Sequence, residues 1–142
     1  MSNHYLLLSS LFVLLPLYFF YFKTDKNYYE YILAGLLVIN MILSLLFWSN
    51  PIKDGLIHKI DAFFARISLI CFILYIIFLK KNSIFDKVIF IGLFLIAISM
   101  FLSGDKECSK NWCSKNHINF HMCFHLFSFL AACYAFLNLI YF

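Results

Sequence analysis

Five long apolar runs, broken only by short polar turns, constrain this chain more than any other feature. They cover residues 5–22, 31–48, 56–79, 84–102 and 117–142. Each is close to or above the roughly 20 residues that a helix needs to cross a ~30 Å hydrocarbon core. Composition removes the alternative of a soluble domain. Hydrophobic residues make up 64% of the 142 residues and charged residues 13%, where ordinary globular chains carry about 45–50% and 25%. A water-soluble chain this short has too much surface for its volume to hide so many Phe, Leu and Ile side chains. The expected fold is therefore all-α: a multi-pass integral membrane protein with a bundle of about five transmembrane helices, forming one domain over 1–142, with the lipid bilayer as its solvent.

The punctuation between the runs is consistent with this reading. The first run has no basic region before it and no small-residue cleavage site after it, so it is expected to be a retained helix rather than a cleaved signal peptide. Pro16 should kink it, which membrane helices tolerate. The second run ends at Ser49-Asn50-Pro51, where the residue before proline resists helical geometry. Lys80-Lys81-Asn82 and Ser103-Gly104-Asp105 are expected to stop the third and fourth. Parity then places the 2–3 and 4–5 connections on one side of the bilayer, face A, and the 1–2 and 3–4 connections on the other, face B. Ser44, Trp48, His58, Asp61, His117, His121 and His125 all lie toward face A. Basic residues divide evenly, with Lys23, Lys26, Lys80, Lys81 and Lys87 toward face B. Lys53, Lys59, Lys106, Lys110 and Lys115 lie toward face A, with Arg66 further inside, so the positive-inside rule fixes no orientation. No basic stripe forms, and no nucleic-acid partner is expected. Nothing fixes an oligomeric state or a particular membrane.

The sharpest chemical signal is NHINFHMCFH, with His117, His121 and His125 at four-residue intervals. Residues at i and i+4 share a helix face, and a histidine pair at that spacing can direct two imidazoles at one zinc ion. A catalytic zinc keeps three protein ligands and an open position for water. The plainer reading is three interfacial histidines at headgroup depth. The second signal is HKID: His58 and Asp61 share a face, and a carboxylate just inside an apolar segment usually faces a cavity or a partner. Pairing with Lys59, or with a lysine reaching in from a loop, is the structural alternative. Ser44, near the end of the second run, would by itself most often bond its own backbone. No nucleotide-binding loop and no GxSxG elbow is present.

A serine near the end of one span, an aspartate at the start of the next and HxxxH opening the last resemble the CREST superfamily. That group includes alkaline ceramidases, adiponectin-receptor and haemolysin-III-like membrane proteins. The run His121–Phe127, HMCFHLF, is similar to the histidine helix of the ceramidases. The resemblance implies that His121 and His125 bind zinc, that Asp61 holds or deprotonates the metal-bound water, and that Ser44 assists at the metal water or oxyanion. It implies a hydrolase acting on the amide or ester bond of a membrane lipid substrate. The family has seven helices where five are expected here. It also places a third histidine four residues after its serine, where this chain has Trp48. His58, or alternatively His117, would then be the third metal ligand. Zinc would lower the pKa of its water toward ~7, and Asp61 would shuttle the proton.

Two other classes remain open at this point. One is a haem-binding electron-transfer protein, with His58 and either His121 or His125 as axial ligands. The other is a non-catalytic membrane protein or a degenerate relative of the hydrolases. Cys108 and Cys113, in the stretch GDKECSKNWCSKNH, would form a disulfide only if they face an oxidising compartment.

Overall fold

The structure, a computed structural model, describes residues 3–137, and among these every regular element is helical. Five helices are long and apolar enough to span a membrane: α1 (His4–Phe22), α2 (Tyr28–Ser49), α3 (Leu56–Leu79), α4 (Ile84–Lys110) and α5 (Lys115–Phe136). The protein is a multi-pass, all-α membrane protein. Connections as short as those at 23–27, 50–55, 80–83 and 111–114 make sequence neighbours antiparallel. Large apolar side chains such as Leu95 and Ile84 lie on the outside, where lipid covers them.

Local chemistry sets the helix ends. Pro16 has no N–H to give the carbonyl of Phe12, and its ring crowds that group. The chain responds with a tightened 3-10 turn at Leu11–Val13 inside α1. A reciprocal capping box starts α2: Asn27 Oδ1 accepts from the Glu30 N–H at 3.0 Å, and Glu30 Oε2 accepts from the Asn27 N–H at 3.3 Å. Ser83 and Ser114 cap α4 and α5 by accepting from the N–H groups of Asp86 and His117. The last turn of α3, Tyr75–Leu79, widens to a π-helix, and Lys87 Nζ donates to its Ile77 carbonyl at 2.7 Å.

The fourth span differs from its sequence expectation. Ser103-Gly104-Asp105 does not stop α4, which runs on to Lys110. Gly104 is buried at the contact with α5, and a Cβ there would lie 3.4 Å from that of Phe120. The glycine acts as a point of close helix approach, as small residues do in membranes, rather than as a terminator. The α4–α5 contact is the most extensive in the bundle, whereas α3 packs mainly on α2.

The two halves of the bundle are built differently. Toward face B the interior is dry and closed: Val13, Leu33, Phe72, Ile76, Phe90 and Phe136 form one buried cluster. Beneath it lies a polar lock. Glu30, 0% exposed, is ion-paired with Lys23 and accepts the Tyr75 hydroxyl at 2.7 Å, while Tyr75 accepts from Asn27 Nδ2 at 2.7 Å. Lys80 Nζ donates to the carbonyls of Tyr134, Ala135 and Leu137, closing the end of α5. Burial, reinforced by the charge of Lys23, lowers its pKa from 10.5 to about 8, against the opposing pull of Glu30 and Asp86. Toward face A the bundle opens.

Candidate functional site

A cavity of about 480 Å³ lies between α2, α3, α4 and α5, running from the face-A ends of the helices inward as far as Phe72 and Phe90 of the apolar cluster. The histidine ladder and the HKID motif meet there because their helices enter from the same face. Ser44, His58, Asp61, His117, His121 and His125 all line it. The i, i+4 spacing of α5 brings the His121 and His125 ring centroids to 4.6 Å and those of His117 and His121 to 5.9 Å. His121 is partly buried, and it lines the cavity.

Convergence on one cavity does not produce a metal centre. No group of three or more His, Cys, Asp or Glu side chains among the described residues is arranged to hold a metal ion. This corrects the expectation of a zinc site formed by His121, His125 and His58, or with His117 as third ligand, and with it the zinc-dependent hydrolase. The contacts give the reasons. His58 is turned onto Phe47, stacked at 4.7 Å and 12°, and its Nδ1 accepts from the Asp54 N–H at 3.1 Å. His125 Nδ1 shares a 2.9 Å hydrogen bond with Ser9 Oγ, and Ser44 Oγ pairs with Ser10 Oγ at 2.8 Å. Trp48 fills the position where a third imidazole was missing, with its ring 5.1 Å from that of His121. Ring contacts run from His58 through Phe47 and Trp48 to His121, so aromatic rings stand between the two histidine groups. Asp61 has no hydrogen bond or ion pair among the described residues.

The cavity is graded from polar to apolar. Its face-A rim carries Trp48 and Trp112, stacked at 6.2 Å and 17°, with Lys53 over the Trp112 ring at 5.9 Å. Trp48 is 2% exposed, and its Nε1 donor has no acceptor; His117 Nδ1 is likewise buried without a partner. The charged groups Lys59, Asp61 and Asp105 border the same end, and Arg66 lines the cavity further in, close to the depth of Ser68. Leu37, Leu69, Phe72, Phe94 and Ala132 line the deeper part. Cys108 and Cys113 are free thiols, the first within α4 and the second in the turn, where burial pushes the Cys113 thiol upward.

Several lining residues escaped the sequence reading. Asn40, Ser68 and Ser128 are polar residues in the middle of apolar runs, and that placement was the signal available for them. Ser9 and Ser10 gave no signal, since their partners lie on distant helices. The chain matches no protein-family model, no curated protein and no solved structure. Fold and site together define a five-span helical membrane protein with a cavity open toward one leaflet.

Proposed function

We propose that this protein is a non-catalytic membrane protein that binds an amphiphile in its face-A cavity. On the CREST resemblance it is a relative without the metal chemistry. The observation that carries the reading is the make-up of one cavity: mostly aromatic and aliphatic walls, interrupted by a few unsatisfied polar groups that begin with Trp48 and His117 at the rim. Ligand pockets have this character, apolar walls with a few placed polar groups. The Trp48 N–H requires an acceptor, which a carboxylate, phosphate or acyl carbonyl at headgroup depth supplies. The long apolar part of the same molecule then fills the deeper space. This reading takes precedence over haem binding because Phe47 and Trp48 separate His58 from the histidines of α5.

The two tryptophans of the chain both stand at the rim, so their emission tests the proposal directly. A Trp112→Phe variant leaves Trp48, which is shielded from bulk lipid, as the single emitter. In vesicles of phosphatidylcholine with brominated acyl chains its fluorescence should be quenched. Filling the cavity with Ala65→Phe should remove that quenching. Absence of quenching, or quenching equal in the filled variant, would sink the proposal.

A further inference from the structure

Partway down, the cavity has a chemistry that a plain alkyl chain does not satisfy. Asn40 of α2, Ser68 of α3 and Ser128 of α5 all line it. Asn40 Nδ2 donates to the Leu36 carbonyl at 2.8 Å and to Ser68 Oγ. A carbonyl can only accept, so the Leu36 contact fixes which way the amide faces. Asn40 Oδ1 is consequently an acceptor, and it is buried without a donor; Ser128 Oγ is also buried without a partner. An orphaned polar atom in a low-dielectric interior is unfavourable, and the hydrocarbon outside offers it nothing.

The depth of these groups can be read along the helices. Asn40 lies eight residues from Trp48 along α2, about 12 Å at a rise of about 1.5 Å per residue. Ser128 lies eleven residues from His117 along α5, about 16 Å on the same rise. The cavity thus offers the Trp48 donor at its rim and the Asn40 acceptor partway down. Ser44, His121 and His125 line the stretch between them with Phe47 and Phe124, and Leu37, Phe72 and Ala132 line the space beyond.

Resting on the amphiphile reading, we infer that the cavity selects amphiphiles that carry a hydroxyl partway along the chain. Their headgroup oxygen accepts from Trp48 Nε1, and the chain hydroxyl donates to Asn40 Oδ1. Ser128 Oγ, unpartnered on the same cavity lining, is a further donor for a hydroxyl, which is donor and acceptor at once. 12-Hydroxystearate has suitable dimensions, its hydroxyl lying roughly 13 Å from the carboxylate if an extended chain advances about 1.2 Å per bond.

The test uses the detergent-solubilised full chain carrying Trp112→Phe, with Trp48 emission titrated by stearate, 2-hydroxystearate and 12-hydroxystearate. 12-Hydroxystearate should bind about tenfold more tightly than the other two, the worth of one well-made hydrogen bond. Asn40→Leu should abolish that preference, bringing the Kd values of stearate and 12-hydroxystearate within about twofold of each other. Ser128→Ala, a smaller change, should reduce the preference and gives a second reading if Asn40→Leu fails to fold. Equal Kd values for stearate and 12-hydroxystearate would overturn the inference and leave the amphiphile reading standing. So would a preference that survives Asn40→Leu. Binding of none of the three would remove both.

Discussion

Glu30 offers the sharpest test of how the closed half of the bundle is held. Its carboxylate is 0% exposed and serves three groups at once: the Lys23 ammonium, the Tyr75 hydroxyl and the Asn27 N–H. Glu30→Ala removes all three acceptor contacts and leaves the Lys23 charge, 7% exposed, without a counter-ion. Removing one partner of a buried pair is unfavourable by about 3–5 kcal/mol. Lys23 lies at the end of its helix and can reach toward the face-B water, which places the expectation near the lower end, about 3 kcal/mol. Adding Lys23→Met should recover about half of this, because the stranded charge disappears while Tyr75 and Asn27 still lack an acceptor. Reversible SDS unfolding in mixed micelles, followed by far-UV circular dichroism, measures both variants and completes a double-mutant cycle. Two results would refute the reasoning: a loss under about 1 kcal/mol for Glu30→Ala, or effects of the two substitutions that simply add to within about 0.5 kcal/mol.

The remaining predictions are of different kinds. Gly104→Leu should destabilise the bundle by about 1–3 kcal/mol through overpacking against Phe120. The same change at Gly35 or Gly92, where nothing lies within 4 Å of an added Cβ, should be tolerated in the same SDS titration. Lys80 governs a pH effect. Its folded pKa of about 8 lies below the ordinary 10.5, so between those values the unfolded chain binds more protons and this group makes stability rise with pH. Below pH 8 its contribution should be flat. Lys80→Met should lack this rise, so the stability of the wild type should climb relative to the variant between about pH 8 and 10.5 when thermal unfolding of the two is compared in detergent.

Much of the fold was legible because the relevant signals are local. Apolar length identifies a span, and Pro51 and Lys80-Lys81-Asn82 mark the ends of the second and third within a few residues. Gly104 shows the limit. As a sequence signal a glycine beside Ser and Asp reads as a stop, yet it lies inside α4 because the approach of α5 needs its missing side chain. The histidine ladder was legible for the same local reason, whereas its chemistry was not. Whether three imidazoles share an ion depends on how neighbouring helices rotate, and here the rotation turns His58 onto Phe47 and gives His125 to Ser9.

By itself, the sequence determined the solvent, the helical class and the parity that gathers Ser44, Asp61 and the histidines toward one leaflet. Those properties follow from hydrophobic length and from counting crossings, which do not depend on lateral packing. Only the tertiary structure decided that these residues line a cavity without forming a metal centre, that the Trp48 ring packs beside His121, and that Asn40 holds an unused acceptor within the cavity. Such outcomes depend on helix rotation and close approach between residues far apart in the chain, about which a one-dimensional pattern holds no information.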